Sequence, residues 1–246
     1  MILPNQKDAI HKVWLYRILT AICDDRELSA KLYFKGGTCA ALRGWLNRFS
    51  IDLDFDYVGQ KRALAKTKRN LEKIFKQLGL EVKDQSAKVP QYFLKYRPSQ
   101  GSERNTVKID ITMPPPRANK YEPVRLQDID RIIHCQTAET MFANKLVALI
   151  DRHEKHQAIA GRDVYDIHYF FINNFQYDRE VIIERRQNKD LKKFFNDLIK
   201  LIETKVTETT IAQDLNMLLP YKEFQKIRKT LKQEVLIFLR DELQRI

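Results

Sequence analysis

Three aspartates alternate along a segment that is predicted to be a β-strand. In residues 51–57, apolar residues occupy every second position, and Asp52, Asp54 and Asp56 occupy the positions between them. Successive side chains of a strand point to opposite faces, so the three carboxylates share one face at spacings of about 7 Å. Such a face is either solvated at a sheet edge or neutralised by a bound cation such as Mg²⁺, which prefers hard oxygen ligands. The strand alone leaves both interpretations open.

Two further features favour the metal site. Gly36-Gly37 lies about fifteen residues upstream, directly after a short apolar strand, where backbone N–H groups can approach a phosphate closely. A later alternating segment, Thr106–Thr112, carries Asp110 on its polar face. If the two strands pair, Asp110 becomes a third carboxylate on this face. Three acids around one or two Mg²⁺ ions suit nucleotidyl transfer, because the metal polarises the α-phosphate and neutralises the leaving pyrophosphate.

Apolar periodicity predicts the elements that position these residues. In the first half, helices are predicted over residues 4–24, 38–46 (with Thr38 as N-cap) and 60–78, and strands over residues 32–34, 51–57, 80–82, 91–96 and 106–112. A loop is predicted between the strands at 80–82 and 91–96, and a triple proline at 114–116 ends this mixed region. In the second half, helices are predicted over residues 137–153, 162–173, 178–184, 189–203, 208–218 and 222–244. The sequence therefore predicts an α+β fold, with a mixed sheet and flanking helices in residues 1–128 and an α-helical domain in residues 129–246.

The charge of the chain points to a polyanionic partner. Its 246 residues include 44 Lys and Arg against 32 Asp and Glu, a formal net charge of +12. This surplus favours nucleic acid, although a basic protein without such a partner would have the same composition. No apolar run reaches about 18 residues, the three cysteines lack metal or disulfide spacing, and the N-terminus is too polar for a signal peptide. We therefore expect a cytoplasmic protein with reduced cysteines and no membrane partner.

Two strings of residues resemble a known family. Residues 34–38 (Phe-Lys-Gly-Gly-Thr) and 48–55 (Arg-Phe-Ser-Ile-Asp-Leu-Asp-Phe) resemble the AbiEii/AbiGii toxin family of nucleotidyltransferases. That family, like the MenT-like toxins, is grouped in the DNA polymerase β-like superfamily, whose pattern is Gly-Gly or Gly-Ser, then Asp-x-Asp, then a third acid on a later strand. In the helical half, Lys145 and the Arg162-Asp163-x-x-Asp166 segment look like the family's Lys motif and its Arg-Asp-x-x-Asp-Leu motif.

The resemblance implies a role for each matching residue and a nucleotidyltransferase fold for the first domain. The implied catalytic metal ligands, for Mg²⁺ or Mn²⁺, are Asp52, Asp54 and Asp110. The residues implied to contact the nucleotide triphosphate are Gly36, Gly37, Thr38, Arg48, Ser50 and Lys145. One aspartate of the second motif, Asp163 or Asp166, would complete the catalytic site by orienting Lys145 or by acting near the attacking hydroxyl. The spacing does not decide between these two aspartates.

The activity implied by the resemblance is that of a toxin in a type IV, AbiE-like toxin–antitoxin pair linked to phage defence. Such an enzyme would transfer nucleotides from an NTP to RNA, at the 3′ end of tRNA, and so block translation. Its partners would be the NTP, the RNA and a cognate antitoxin protein. Two alternatives stay open: the same fold could modify a protein, by nucleotidylation or by phosphorylation of the antitoxin, or it could be a non-catalytic module that binds RNA or a partner.

Two other charged patterns have ordinary explanations. The string His153-Glu154-Lys155-His156 lacks the His-Glu-x-x-His spacing, so we interpret it as a solvated helix end and not as a metal site. The basic residues of the helix predicted over 60–78 fit either a phosphate-tracking face or a solvated face.

Overall fold

The computed structural model describes residues 1–85, 90–96 and 104–246 of the chain. Its strands are β1 (Leu32–Lys35), β2 (Asp52–Tyr57), β3 (Glu81–Gln85), β4 (Gln91–Lys95), β5 (Thr106–Thr112), β6 (Tyr121–Leu126) and β7 (Arg131–Gln136). Its α-helices are α1 (Asp8–Asp24), α2 (Arg26–Ser29), α3 (Gly36–Leu42), α4 (Leu64–Gln77), α5 (Ala138–His156), α6 (Gly161–Ile172), α7 (Arg179–Arg186), α8 (Leu191–Lys205), α9 (Glu208–Leu215) and α10 (Tyr221–Arg245). The predicted α+β class is confirmed. Part of the loop predicted between β3 and β4 lies outside the described residues.

The strands of the described residues form one sheet of seven, in the order β3-β4-β5-β2-β1-β7-β6. At its centre, β2 pairs antiparallel with β1 and parallel with β5. The parallel register sets Asp54 directly opposite Asp110 and Asp52 opposite Lys108. Because side chains alternate between the two faces of a strand, Leu53 lies on the other face of β2, where it is completely buried. The pairing on which the third carboxylate depended is therefore present.

The turn after β1 differs from the sequence prediction. Thr38 is not an N-cap, because α3 begins two residues earlier, at Gly36, and Lys35 occupies the cap position without a side-chain cap. The Thr38 hydroxyl instead donates to the backbone carbonyl of Asp52 and bonds the Ser50 hydroxyl at 2.9 Å. Gly36 has φ +78°, and a Cβ there would overlap the carboxylate of Asp54. Only glycine fits this backbone at this distance from the acid.

The sheet continues beyond the predicted domain boundary. β6 and β7 form an antiparallel hairpin, and β7 pairs parallel with β1, so strands on both sides of residue 128 share one sheet. One apolar core runs from α1 through the sheet to α10. The helices of the second half begin and end within a few residues of the predicted bounds, and Thr137 caps α5 by accepting from the Thr140 N–H. The division into two domains stays a prediction. Among the helices of the described segments, none combines the length and apolarity needed to cross a bilayer.

Asp56, the third aspartate of β2, is not solvated like an edge carboxylate. It is fully buried, and side chains from β1, β6, β7 and the loop before β6 contact its carboxylate. Its carboxylate accepts from Lys35 Nζ at 2.7 Å, Gln136 Nε2 at 2.7 Å, the Tyr121 hydroxyl at 2.8 Å and Asn119 Nδ2 at 3.0 Å. Four donors from three segments of the chain therefore meet on one buried charge, which offsets the cost of removing it from water.

We expect Asp56→Ala to destabilise the fold by about 3–5 kcal/mol, because it leaves the Lys35 ammonium and three other donors without their buried acceptor. Urea unfolding followed by circular dichroism measures this change. The matched control is Asp241→Ala, which removes an exposed i, i+4 pair with Arg245 and should change stability by no more than about 0.5 kcal/mol. Equal losses in the two variants would contradict the role given to Asp56.

Candidate active site

Two adjoining cavities, of about 450 and 400 Å³, form one cleft between the sheet and the helices α5 and α6. Both cavities are lined by Asp54 and Asp110 from β2 and β5, and by Lys145 from α5. The cleft therefore brings the acids of the first half together with the lysine of the second half. Asp163, at the start of α6, also lines both cavities.

The three predicted metal ligands occupy different settings within the cleft. Asp52 and Asp54 project from the same face of β2, and Asp54 lies over the first turn of α3 at Gly36. Asp110 faces Asp54 across the sheet, but its carboxylate already accepts from Lys108 Nζ at 2.6 Å and from Gln91 Nε2 at 3.2 Å. The side chain of Asp110 is thus held by a neighbouring cation and amide.

The electrostatics of the acidic pair favour a cation. Burial first, and then the nearby Asp52 charge, raise the pKa of Asp54 to about 6, against the opposing charges of Lys35 and Lys145. Burial also raises the pKa of Asp52, although Arg162, Lys108 and Arg104 oppose the shift. The nearby cations therefore do not fully offset the burial of the two acids and their mutual repulsion, and a divalent cation bound between the carboxylates would offset both.

The oxygen donors fit a magnesium ion that keeps part of its shell for other ligands. Within residues 1–85, 90–96 and 104–246, no three His, Cys, Asp or Glu side chains converge as a metal-binding group. Mg²⁺ commonly binds through one or two carboxylates together with water and substrate phosphates, so Asp52 and Asp54 supply the donor set that such an ion needs. A place for Asp110 among the ligands stays a prediction, since its carboxylate would first have to leave Lys108.

Asp166 holds two cations that lie far apart in sequence. It is fully buried on α6, and it accepts from Arg48 Nε at 2.6 Å, Arg48 Nη2 at 2.7 Å and Lys145 Nζ at 2.7 Å. Burial alone would raise the pKa of Asp166, but the charges of Arg48 and Lys145 and their hydrogen bonds outweigh it and lower the pKa to about 2. The carboxylate is therefore ionised, and it fixes the lysine that lines the cleft.

The two aspartates of the second motif have separate partners. Asp166 binds Lys145 directly, whereas the nearest oxygen of Asp163 is 4.0 Å from the Lys145 Nζ. Asp163 instead accepts from Arg152 Nε at 3.1 Å and lies on the wall of the cleft. Asp166 is thus placed to orient Lys145, and Asp163 is placed where substrate could approach.

The residues predicted to contact the triphosphate separate into two groups. Gly36, Gly37 and Ser50 line the cleft near the first turn of α3. Thr38 is fully buried and bonded to Ser50 and the strand backbone, so it supports the turn without lining either cavity. Arg48 touches the cavity that Gly37 and Ser50 line, but it is only 3% exposed and makes a bidentate pair with Asp166. Its observed contacts are structural, and direct phosphate contact by Arg48 stays a prediction.

The sequence reasoning missed three cations of the cleft: Lys35 and Arg185 line the first cavity, and Arg152 lines both. Arg162, from the predicted second motif, lines the second cavity, and His156, which was interpreted only as a solvated helix end, lines both. Arg152, Lys155 and His156 follow Lys145 by seven, ten and eleven residues on α5, which places all of them near one helix face. Counting helical periods from Lys145 would have found this group. His156 is exposed, as a solvated helix end should be, yet it also lies on the cleft wall.

The fold and the acidic cleft define a class of protein, the nucleotidyltransferases. The model of the "Nucleotidyl transferase AbiEii toxin, Type IV TA system" family matches residues 17–237. The chain belongs to this AbiEii family of nucleotidyltransferase toxins of type IV toxin–antitoxin systems. No curated protein matches it.

Two solved structures share its fold. One is that of a candidate nucleotidyltransferase from H. pylori, with 21% identity, a TM-score of 0.57, and coverage of 96% of this chain and 98% of that chain. The other is JHP933 from Helicobacter pylori, with 21% identity, a TM-score of 0.56, and coverage of 98% of this chain and 96% of that chain. These structures confirm the predicted fold, and the family match over residues 17–237 confirms the predicted family and enzyme class.

We expect Asp166→Asn to remove a pH-dependent part of the stability. Since the folded pKa of Asp166, about 2, lies below the unfolded value, its stabilisation is present above about pH 4 and is lost as the pH falls towards 2, by roughly 2 kcal/mol. Urea unfolding between pH 2 and pH 7 should show this loss in the wild type and a smaller one in Asp166→Asn.

At pH 7, Asp166→Asn should be destabilised by about 3–5 kcal/mol, because Arg48 and Lys145 lose their counter-charge. Asp163→Asn, whose partner Arg152 is partly exposed, should cost less, and the reverse order would refute the assignment.

We expect the Asp54 carboxyl of the metal-free protein to titrate near pH 6, and to titrate at lower pH in Asp52→Asn. The physical reason is that the Asp52 charge is the second largest cause of the raised pKa, after burial. Carboxyl-carbon NMR across a pH series measures both values. Asp110→Asn is the matched control and should lower the pKa of Asp54 by less. An unchanged Asp54 titration in Asp52→Asn would show that the two acids do not interact as described.

Proposed function

We propose that this protein transfers nucleotides from an NTP to an RNA acceptor, at the 3′ end of tRNA, as the toxin that a cognate antitoxin neutralises. The observation that carries the proposal is the register that sets Asp54 opposite Asp110, with Asp52 on the same face and Lys145 facing the same cleft. Carboxylates opposite a fixed lysine suit a triphosphate with its metal ion. The net charge of +12 supports a nucleic-acid acceptor.

Each residue of the cleft has a role in this proposal. Asp52 and Asp54, with Asp110, would hold Mg²⁺ or Mn²⁺, which when bound polarises the α-phosphate and neutralises the pyrophosphate. The triphosphate would lie at the first turn of α3, where Gly36 and Gly37 expose the helix N-terminus. Lys145 would contact the phosphates from the other wall, and Asp166 would orient it.

The cations along α5 and α6 extend the phosphate-binding wall. Arg152 and Arg162 line the cleft beside Asp163, and Ser50 lines it beside Gly37. Because these groups come from elements packed in one core, they are in position before substrate arrives, and such preorganised charges stabilise a transition state most effectively.

The reaction exchanges a phosphoanhydride bond of the NTP for a phosphodiester bond to the acceptor. The acceptor hydroxyl oxygen bonds to the α-phosphorus, the bond from the α-phosphorus to the bridging oxygen of the β-phosphate breaks, and pyrophosphate leaves with the electron pair. The hydroxyl proton passes to solvent. Nucleotides added to the 3′ end of tRNA block its aminoacylation, so translation stops. We assign this reaction to the cytoplasm, where NTPs and tRNA are available.

The proposal predicts label on RNA when the protein is incubated with Mg²⁺, total tRNA and each of the four α-labelled NTPs in turn. Asp52→Asn and Lys145→Ala should each lower the rate by at least about 100-fold, because each removes a charge that acts on the reacting phosphates. Arg240→Ala, which breaks an exposed pair with Glu203, is the control and should retain the wild-type rate.

Three results would overturn the proposal. Label on a protein band would identify a protein acceptor. Equal label with wild type and Asp52→Asn would place the chemistry elsewhere. No label on RNA with any NTP, together with no NTP binding by calorimetry, would indicate a non-catalytic module.

A further inference from the structure

A second cavity of about 450 Å³ lies beside the active cleft, and we name it the Tyr221 cavity. Its lining comes from the start of α1, from Arg104 before β5, and from the segment that joins α9 to α10. The residues that carry the argument are Lys7, Arg104, Met217 and Tyr221. A volume of this size holds a ligand of one or two nucleotides.

One layer of residues separates this cavity from the acids. Met217 and Leu219 line the Tyr221 cavity, while Leu218 between them lines the active cleft. The Leu218 carbonyl accepts from the Phe49 N–H at 2.8 Å, which ties this segment to the loop that leads into β2. Burial raises the pKa of Asp52, and the positive charge of Arg104 is among the charges that oppose the shift. Arg104 is therefore close enough to act on both cavities.

The lining combines exposed apolar surface with positive charge. The side chains of Tyr221 and Met217 are 72% and 57% exposed, which is unusual for residues of this size and type. Lys7 is exposed, and Arg104 Nη1 is buried without a hydrogen-bond partner among the described residues. Asp8, which also lines the cavity, is buried. Both α1 and α10 begin here without a side-chain N-cap, and each carries one acid in its first turn, Asp8 and Glu223, so the positive charge of the lining comes from Lys7 and Arg104.

An exposed ring next to cations is the arrangement by which proteins bind single-stranded nucleic acid. Bases stack on the aromatic face and the cations follow the phosphates. A folded protein partner would gain little from an isolated ring and would need a larger continuous surface. The cavity lies beside Asp52, so the nucleic acid that it would bind is the acceptor, whose terminal hydroxyl must reach the acids.

We propose that the Tyr221 cavity binds the single-stranded 3′-terminal nucleotides of the RNA acceptor, with one base stacked on Tyr221 and backbone phosphates beside Lys7 and Arg104. This proposal rests on the proposed function, in which the acceptor is RNA. It assigns acceptor binding to a surface outside the cleft that would hold the NTP.

The test measures binding of a fluorescein-labelled, 12-nucleotide single-stranded RNA by anisotropy, without NTP. Tyr221→Ala should raise the Kd by about 5- to 100-fold through loss of stacking, and Tyr221→Phe should retain wild-type affinity because the ring remains. Ile237→Ala, which truncates a 62% exposed residue elsewhere on α10, is the matched control and should bind like wild type.

Lys7→Ala should lower the slope of log Kd against log salt by about 0.7, whereas Lys229→Ala should not.

The same variants in the labelled-NTP assay separate this proposal from the proposed function. Tyr221→Ala should raise the KM for tRNA and leave the KM for NTP unchanged. Wild-type affinity and wild-type KM for tRNA in Tyr221→Ala would overturn the acceptor site while the transferase function stands. RNA binding that depends on Tyr221, without transfer of label to RNA, would overturn the function and retain the site. Failure of the wild type to bind the single-stranded RNA would also overturn the acceptor site. So would binding of a protein antitoxin, in place of RNA, that is lost in Tyr221→Ala.

Discussion

The buried carboxylate of Asp166 is the constraint on which the active cleft depends. An ionised carboxylate without solvent is costly unless cations meet it closely, and here Arg48 and Lys145 do so at 2.6–2.7 Å. Arg48 lies 118 residues away in sequence. This one charge therefore holds the loop before β2, the middle of α5 and the middle of α6 in fixed relation.

The position of the chemistry follows from that arrangement. The loop held through Arg48 continues directly into Ser50 and the acids of β2, and Lys145 projects from α5 towards the same acids. Asp56, further along β2, provides a second anchor, because Lys35 and three donors from the β6–β7 region meet on it. With both ends of the strand fixed, Asp52 and Asp54 keep their excess of negative charge between two walls. A pair of carboxylates held opposite a fixed lysine is suited to a metal-bound triphosphate, because the carboxylates can bind the metal ion and the lysine can bind the phosphates.

Local periodicity was sufficient to predict which face of the strands carries the acids. It could not predict contacts between residues that are far apart in sequence. The period of two in β2 and β5 placed Asp52, Asp54 and Asp110 on polar faces, but the pairing of the two strands was only a condition of the prediction, and the structure supplies it. Nothing local distinguished Asp56 from its neighbours, because its burial is imposed by strands about 65–80 residues later. The N-cap prediction for Thr38 was wrong for a similar reason. Its hydroxyl donates to the backbone carbonyl of Asp52 in β2, a partner that the local sequence does not reveal. The partner of Arg48 could not be read from spacing, since only the packed core brings it to Asp166.

The most direct test of this account is a crystal structure with Mn²⁺ and a non-hydrolysable NTP analogue, in which anomalous scattering locates the metal. The account predicts a peak roughly 2.0–2.3 Å from carboxylate oxygens of both Asp52 and Asp54, with the triphosphate between the first turn of α3 and the Lys145 ammonium. A metal peak away from β2, or a triphosphate that leaves Lys145 paired only with Asp166, would contradict it.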